Sequence, residues 1–312
     1  MMTSWIPLLR VATACFLALA ASNRPGAASG GVLALASQDL APYRDAVEGL
    51  REALGEPIEL KALSGEAGTD RAALDAIAAS RPDLIVVLGD RAAQAAAERL
   101  TGLTVVFGMC ARPPQPASSA SAAMTGVLLD IAADRQIAAF RSAIPALVRI
   151  GVIYDPARST DQVARIAAAI QAAGIELYTQ RVAGARDVPA AFRRVADAID
   201  ALWLIPDETV LSRASFDFIL LESLKRRLPL LVFNEPMVRA GGLMALAADS
   251  REAGRQIGDL AGRVMKAHGR NLPRVEAPVA ASLALNLRTA RLLGLTIPPP
   301  VVADAAQVFG PE

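Results

Sequence analysis

Histidine is almost absent from this sequence, which has only His268 in 312 residues. His268 precedes Gly269 at a predicted helix end, where the helix dipole favours a cation, so we interpret it as structural. That interpretation leaves no imidazole for a Ser/His/Asp relay. The sequence also lacks the G-x-S-x-G, G-x-x-x-x-G-K and H-E-x-x-H motifs and any cluster with metal-ligand spacing. We therefore predict that the protein is not an enzyme and has no cofactor and no metal.

Aromatic and charged residues are also few. Aromatics make up 4% of the chain and charged residues 20%, against 53% hydrophobic residues, and the formal net charge is +1. Such a chain is too apolar to be disordered, and it has no basic excess that would predict nucleic-acid binding. Its core must be built from aliphatic side chains.

Cysteine is limited to Cys15 and Cys110. Residues 1–28 resemble a cleavable signal peptide, because Arg10 precedes the apolar run 11–21 and small residues follow it. A membrane anchor is the alternative, although this run is short for a bilayer core about 30 Å thick. Cleavage would remove Cys15, so the exported chain could form no internal disulfide. We predict a periplasmic protein.

After residue 28 the chain alternates between short apolar runs and amphipathic helices. The nearly continuous runs predict strands covered on both faces, at 31–36, 83–89, 103–108, 149–155, 201–206 and 228–234. The clearest helices are predicted at 41–54 and 159–174. This alternation predicts an α/β fold with parallel sheets. The Pro/Ser/Ala-rich stretch 111–124 interrupts it, a strand restarts at 125–130, and a second series begins after a changeover near residue 147.

Polar residues follow the predicted strands in both halves. The pairs Asp207/Glu208 and Asp249/Glu252 could be acid/base pairs, but Asp249 and Glu252 have the spacing of a helix capping box. Each polar residue alone fits an ordinary loop or helix cap. As a set they favour a ligand cleft, because open α/β sheets bind ligands at the carboxyl ends of their strands.

Several segments together resemble the substrate-binding proteins of ABC transporters of the tryptophan-receptor-like family. They are "PDLIVVLGDRAAQAA" (82–96), "LTVVFGMCARP" (103–113), "MTGVLLDIAADRQIAAFRSAIPALVRIGVIYDPARS" (124–159), "ALWLIPDETVLSRASFDFILLESLKRRLPLLVF" (201–233), "VRAGGLMALAADSREAGRQIGDLA" (238–261) and "NLRTARLLGLTIP" (286–298). The resemblance covers essentially the whole chain after the signal. It implies a type I periplasmic-binding-protein fold, in which two Rossmann-like lobes joined by a three-crossing hinge close on a small ligand.

The resemblance also implies interleaved lobes. We expect lobe 1 to contain residues 29–147 and 239–272, and lobe 2 residues 148–238 and 273–312. Residues 242–269 would thus return to the first lobe.

The resemblance further implies a ligand site in the cleft. Asp207 is expected to pair with a ligand cation such as an α-amino group, with Thr209 hydrogen-bonding nearby and Glu208 serving the following helix. Replacing Asp207 by alanine should then abolish binding with little change in melting temperature. Gly89, Asp90 and Arg91 precede a helix whose free N–H groups could hold a carboxylate. The full expected ligand-binding set is Gln38, Asp39, Gly89, Asp90, Arg91, Met109, Tyr154, Asp207, Thr209, Asn234 and Glu235.

The function implied is a periplasmic substrate-binding component that binds a small, amino-acid-like polar solute by hinge closure. Its partner would be an ABC permease in the inner membrane, and the protein would be a monomer. The alternative is a non-transport sensor or accessory protein on the same fold. A hydrolase using Asp207 and Glu208 lacks the groups needed to complete its site.

Overall fold

The computed structural model describes residues 31–115 and 122–310, so the predicted signal peptide at residues 1–28 lies outside the described residues. Within them, the first sheet has five parallel strands in the order β2-β1-β3-β4-β5. These strands are β1 (Val32–Ala36), β2 (Glu59–Ala62), β3 (Leu84–Leu88), β4 (Thr104–Cys110) and β5 (Ala123–Leu128), and the helices between them are α1 (Ala41–Leu54), α2 (Ala67–Ser80) and α3 (Asp90–Arg99).

Seven strands of the described chain form the second sheet, in the order β12-β11-β10-β9-β8-β6-β7. Neighbouring strands are parallel except β10 and β11, which are antiparallel. The strands are β6 (Arg149–Tyr154), β7 (Glu176–Arg181), β8 (Ala201–Trp203), β9 (Leu230–Val232), β10 (Met244–Ala248), β11 (Ala281–Asn286) and β12 (Gln307–Phe309). The remaining helices are α4 (Ala133–Ala143), α5 (Pro156–Ala172), α6 (Val188–Val195), α7 (Arg213–Lys225), α8 (Glu235–Arg239), α9 (Ser250–Lys266), α10 (Leu287–Leu293) and α11 (Pro299–Ala303). The predicted α/β class is confirmed.

Helices cover both faces of the sheets, and strand β3 illustrates why the apolar runs are continuous. Leu84, Val86 and Leu88 pack with α1 and α9, whereas Ile85 and Val87 pack on the other face with α2 and α3. Because successive side chains of a strand point to opposite faces, a strand covered on both sides needs an apolar residue at every position. Burying one such side chain contributes about 1.5–3 kcal/mol.

Helix α9 packs on α1 through glycines. A Cβ atom on Gly254 would lie 2.0 Å from the carbonyl oxygen of Ala46, and one on Gly49 would lie 1.9 Å from that of Arg251. The two backbones are therefore closer than any side chain would allow. This contact fixes α9 to the first sheet, and the first lobe consists of that sheet with α1, α2, α3 and α9. The second lobe consists of the second sheet with the other helices.

The chain crosses between the lobes at residues 129–132, 248–250 and 274–280. In the last crossing, the amide of Glu276 donates to the carbonyl oxygen of Gly126 at 2.9 Å. The carbonyl oxygen of Glu276 accepts from the amide of Leu128 at 3.0 Å. These bonds bind the third crossing to the end of β5, beside the first crossing.

Two of the lobe boundaries lie at other residues than expected. The first crossing precedes α4 instead of following it near residue 147, because Phe140 of α4 is buried against Trp203 of the second sheet. Residues 242–269 are divided between the lobes. Strand β10 pairs with β9 and β11 in the second sheet, and only α9 returns to the first lobe.

Helix α5 begins three residues earlier than predicted. It starts at Pro156, and the side chain of Asp155 accepts from the amide of Ala157 at 2.9 Å. Proline suits the first helical position, and aspartate is a favoured N-cap, so Asp155-Pro156 is a better start than Ser159. Among the described helices, none combines the length and apolar character needed to span a bilayer.

Candidate functional site

The carboxyl ends of the strands in the two lobes face each other. Arg112, which follows β4 of the first lobe, donates to the carbonyl oxygen of Arg158 in the first turn of α5, at 3.4 Å. Arg158 in turn pairs with Glu208 after β8, at 2.8 Å. The loops after β4, β6 and β8 therefore meet on opposite sides of one gap, which we call the cleft.

Gly89 lies on the first-lobe side of the cleft, directly after β3. It ends β3 with a φ of +92° and serves as the N-cap of α3. A Cβ atom there would lie 2.3 Å from the Tyr43 hydroxyl and 2.6 Å from the Ser37 hydroxyl, so only glycine fits. The Ser37 hydroxyl accepts from the amide of Ala92 at 2.9 Å. Burial raises the pKa of Tyr43, which keeps its hydroxyl protonated beside Ser37.

Asp90 and Arg91 follow Gly89 but point to different places. The carboxylate of Asp90 is exposed and accepts from the amide of Ala111 at 3.1 Å. The guanidinium of Arg91 donates to the carbonyl oxygens of Ser37 and, at 3.2 Å, of Leu63. Arg91 thus joins the chain segments that follow β1 and β2. Its guanidinium does not pair with Asp90, whose carboxylate lies at the start of α3.

Strand β4 ends in an irregular backbone. Its register against β5 shifts between Phe107 and Cys110, and Met109 has a φ of +57°. The Met109 side chain is nevertheless buried in the core with α1 and α9. The Cys110 thiol donates to the carbonyl oxygen of Gly108 at 3.2 Å. Burial raises the pKa of this thiol, and the nearby charge of Asp90 raises it further. The side chains of Met109 and Cys110 are therefore both buried, with 6% and 0% of their surface exposed.

Asp207 is a buried carboxylate on the second-lobe side of the cleft, with 2% of its surface exposed. One oxygen accepts from the amide of Asp155 at 2.9 Å and from the Ser159 hydroxyl at 2.7 Å. The other accepts from the amides of Thr209 at 3.0 Å and Val210 at 3.2 Å. The carboxylate expected to meet a ligand cation is therefore engaged by its own lobe, and it joins the ends of β6 and β8.

Asp155 completes this network, which we call the Asp207 cluster (Asp155, Ser159, Asp207 and Thr209). The Thr209 hydroxyl donates to Asp155 at 2.8 Å. That bond, and then the amide of Ala157, lower the pKa of Asp155 below its ordinary value. Both carboxylates thus accept hydrogen bonds from donors of their own lobe.

Comparison with protein families identifies the chain. The family model for "ABC transporter substrate binding protein" matches residues 43–309. The chain belongs to this family. No curated protein sequence matches it.

Solved structures give the fold of this substrate-binding protein. The Streptococcus pneumoniae ABC domain in complex with L-Trp is 21% identical, with a TM-score of 0.66 over 90% of this chain and 99% of that one. The ligand-free, open structure of a Clostridium difficile substrate-binding protein with adhesive properties is 16% identical, with a TM-score of 0.74 over 90% and 99%. The Caulobacter myo-inositol binding protein bound to myo-inositol is 16% identical, with a TM-score of 0.50 over 86% and 96%. The fold is that of the type I periplasmic binding proteins, as the resemblance implied.

The other expected ligand residues of this substrate-binding protein lie at several positions. Gln38 and Asp39 are exposed after β1, and Asp39 pairs with Arg44 of α1. Tyr154 is buried in the core of the second lobe. Asn234 accepts from the amide of Met237 at 3.0 Å as the N-cap of α8, and Glu235 pairs with Arg239 of the same helix at 2.6 Å. The expected set is therefore brought together only in part.

Two further observations concern polar residues outside the expected ligand-binding set. Asp249 accepts from the amide of Glu252 at 2.9 Å, which confirms the predicted helix cap. Ser37, Tyr43, Ser159 and Arg112 also lie at the cleft but are not in the expected ligand-binding set. Ser37 and Arg112 lie just after β1 and β4, whereas Tyr43 and Ser159 lie in the first turns of α1 and α5. Among the described residues, no three His, Cys, Asp or Glu side chains lie together as a metal site would require.

Proposed function

We propose that this substrate-binding protein takes up a small, amino-acid-like polar solute between its lobes and delivers it to an ABC permease. The observation that supports this is the opposition of the two sets of strand ends, which contact each other through Arg112 and Arg158. Three chain crossings on one side of that gap suit closure about a hinge. Binding by closure changes no covalent bond, which fits a family of binding proteins.

The charges around the cleft favour a solute that carries both signs. Asp90 is exposed and has one hydrogen-bond donor, the amide of Ala111. Arg158 and Glu208 are exposed partners on the opposite side. Because the Asp207 carboxylate is buried, we propose that Asp90 binds the ammonium group of the solute in its place. Arg158 or Arg112 then binds the carboxylate of the solute.

A ligand screen with two readouts tests this function. Amino acids, dipeptides and small organic acids are added in thermal-shift assays, where a ligand at about a hundredfold excess over its Kd stabilises the folded state by about 2.7 kcal/mol. Each stabilising compound is then examined by small-angle X-ray scattering, and closure should reduce the radius of gyration. Stabilisation without closure, or no stabilisation by any compound, would oppose a transport receptor and favour the sensor or accessory alternative.

A matched pair of substitutions localises the binding. Asp90→Asn removes the charge at the cleft end of β3 and should weaken binding of a cationic or zwitterionic solute by about tenfold. Asp83→Asn makes the same change at the opposite end of β3, where Asp83 is also exposed, and should have no effect. Equal affinities of the two variants would exclude Asp90 from the site.

We further propose that residues 1–28 direct export to the periplasm and are then removed. Cell fractionation and N-terminal sequencing of the exported protein test this step. The mature chain should begin near residue 29, whereas retention in the membrane fraction with residue 1 intact would support the anchor alternative.

A further inference from the structure

A second hollow lies beside the cleft, at the ends of β6 and β7 in the second lobe. Its volume is about 580 Å³, enough for a small organic group. The start of α5 contributes Asp155 and Ala157 to its lining, the end of β7 contributes Arg181, and α6 contributes Arg194. Arg158, one residue beyond Ala157, belongs to the cleft, so the two spaces adjoin.

The arginines of this hollow have unused hydrogen-bond donors. In residues 31–115 and 122–310, no hydrogen bond or ion pair engages the guanidinium of Arg181. Arg194 uses its Nε atom to donate to Gln180 at 2.9 Å, and its two terminal nitrogens have no partner there. Unpaired guanidinium groups present several donors in a planar fork that fits a carboxylate or a phosphate.

The carboxylates of the same hollow do not neutralise these arginines. Asp155 accepts from Ala157 and Thr209 with its two oxygens, and Asp187 accepts from the amide of Ala183 at 3.2 Å. Within the described residues, neither carboxylate lies within ion-pair distance of Arg181 or Arg194. The first turn of α5 also borders this space, and Asp155 is its N-cap.

The first lobe offers less to an anion. The amino end of α3 carries the exposed carboxylate of Asp90, and the nearby Arg91 guanidinium is directed to the carbonyl oxygens of Ser37 and Leu63. At that helix end the nearby guanidinium is engaged, whereas the hollow keeps free donors on Arg181 and Arg194 beside its own carboxylates, Asp155 and Asp187.

We propose that this hollow, the Arg181/Arg194 pocket, binds an oxyanion group of the solute, either a carboxylate or a phosphate. This inference rests on the proposed function and narrows it, because the solute would then be an amino-acid-like compound with an additional acidic group. The acidic group lies against Arg181 and Arg194, and the remainder of the solute extends past Asp155 into the cleft.

Titration with inorganic phosphate and with acetate tests the pocket without knowledge of the solute. Binding is followed through the arginine Nε–Hε signals in NMR spectra at low ionic strength, because salt screens exposed charges. Arg181→Gln and Arg194→Gln should each weaken the bound anion about tenfold, while Arg181→Lys should retain part of the affinity. Arg186→Gln removes an exposed arginine next to the pocket that does not line it, and should leave the affinity within about twofold of the unaltered protein.

The outcomes separate this inference from the proposed function. Saturable binding that Arg181→Gln weakens and Arg186→Gln does not would support the pocket. Equal loss in both variants, or no saturable binding of either anion, would overturn it. If phosphate binds through Arg181 but no solute induces closure, the pocket stands and the receptor function fails. If acidic and neutral solutes induce closure equally, and Arg181→Gln changes neither, the receptor function stands and the pocket fails.

Discussion

The carboxylate of Asp207, in the loop after β8, accepts a hydrogen bond from the hydroxyl of Ser159 in helix α5 at 2.7 Å. The same oxygen accepts from the amide of Asp155 at 2.9 Å. A buried aspartate thus connects two strand ends that belong to one wall of the cleft. In the proposed function its contribution to binding is indirect, because it positions the start of α5, which carries Arg158.

Replacing Asp207 by alanine should destabilise the empty protein. The change leaves the amides of Asp155, Thr209 and Val210 and the Ser159 hydroxyl without their acceptor, and buried unsatisfied donors cost about 1–3 kcal/mol each. We expect the free energy of unfolding in urea to fall by at least about 2 kcal/mol. Glu208→Ala, at the exposed neighbour, should change it by less than about 0.5 kcal/mol.

The sequence-based expectation for Asp207→Ala was lost binding at unchanged stability. An unaltered urea midpoint together with lost solute binding would restore the direct ligand role for Asp207 and contradict the structural role.

Acid stability should depend on the bond between Thr209 and Asp155. This bond lowers the pKa of Asp155 below its ordinary value of 3.8. A lowered pKa in the folded state stabilises the protein above pH 3.8, and this stabilisation is lost as the pH falls through the folded-state pKa. Thr209→Val removes the donor, so the pKa of Asp155 should rise and acid unfolding should begin at a higher pH.

Circular dichroism across an acid titration measures that unfolding. Thr160→Val is the control, because the Thr160 hydroxyl donates to the carbonyl oxygen of Pro156 and makes no bond to Asp155. Identical acid transitions in Thr209→Val and Thr160→Val would show that Thr209 does not set the pKa of Asp155.

The contact between α1 and α9 can be tested with two glycines of the same helix. Gly254→Ala would place a methyl group 2.0 Å from the carbonyl oxygen of Ala46, so the helices must separate, at a cost of about 1–3 kcal/mol. Gly262→Ala meets only a Leu54 methyl group at 3.8 Å, and alanine in a helix interior is favoured over glycine by about 1 kcal/mol. Thermal unfolding should therefore show opposite changes in melting temperature. A stabilising Gly254→Ala would mean that the backbones of α1 and α9 are farther apart than 2.0 Å allows.

The apolar runs predicted the central strands because those strands are buried on both faces. Strand β3 lies inside the predicted run 83–89, and β4 begins inside the predicted run 103–108 and extends two residues beyond it, to Cys110. Strand β2, with the sequence ELKA, could not be found in this way, since it lies at the edge of its sheet and is largely exposed. Its pairing with β1 is set by the sheet and not by a local pattern.

The site was less predictable than the fold for a related reason. The polar residues after each strand could be identified, but a residue such as Asp207 looks the same in sequence whether it faces solvent or its own lobe. The distinction depends on Ser159 and Asp155, which are 48 and 52 positions away along the chain. Likewise, nothing in the pattern of α4 says which sheet it covers, because its apolar face would suit either one.

The contact between Phe140 and Trp203 decides the placement of α4 and can be measured directly. The two rings meet edge to face with centroids 5.1 Å apart, and both side chains are fully buried. In a Trp5→Phe background Trp203 is the only tryptophan. Phe140→Leu should then alter the emission of Trp203 in the folded protein and reduce the free energy of unfolding by about 1–2 kcal/mol.

Phe192→Leu provides the matched control for this prediction. Phe192 is equally buried, but it lies on the opposite face of the second sheet against Phe218, with centroids 5.9 Å apart. Its replacement should cost a similar free energy of unfolding and leave the Trp203 emission unchanged. If Phe140→Leu affected neither stability nor emission, α4 would not pack on the second sheet, and the first crossing would have to follow α4. If both variants changed the emission equally, the effect would reflect general loosening of the lobe, because only a direct ring contact distinguishes the two faces.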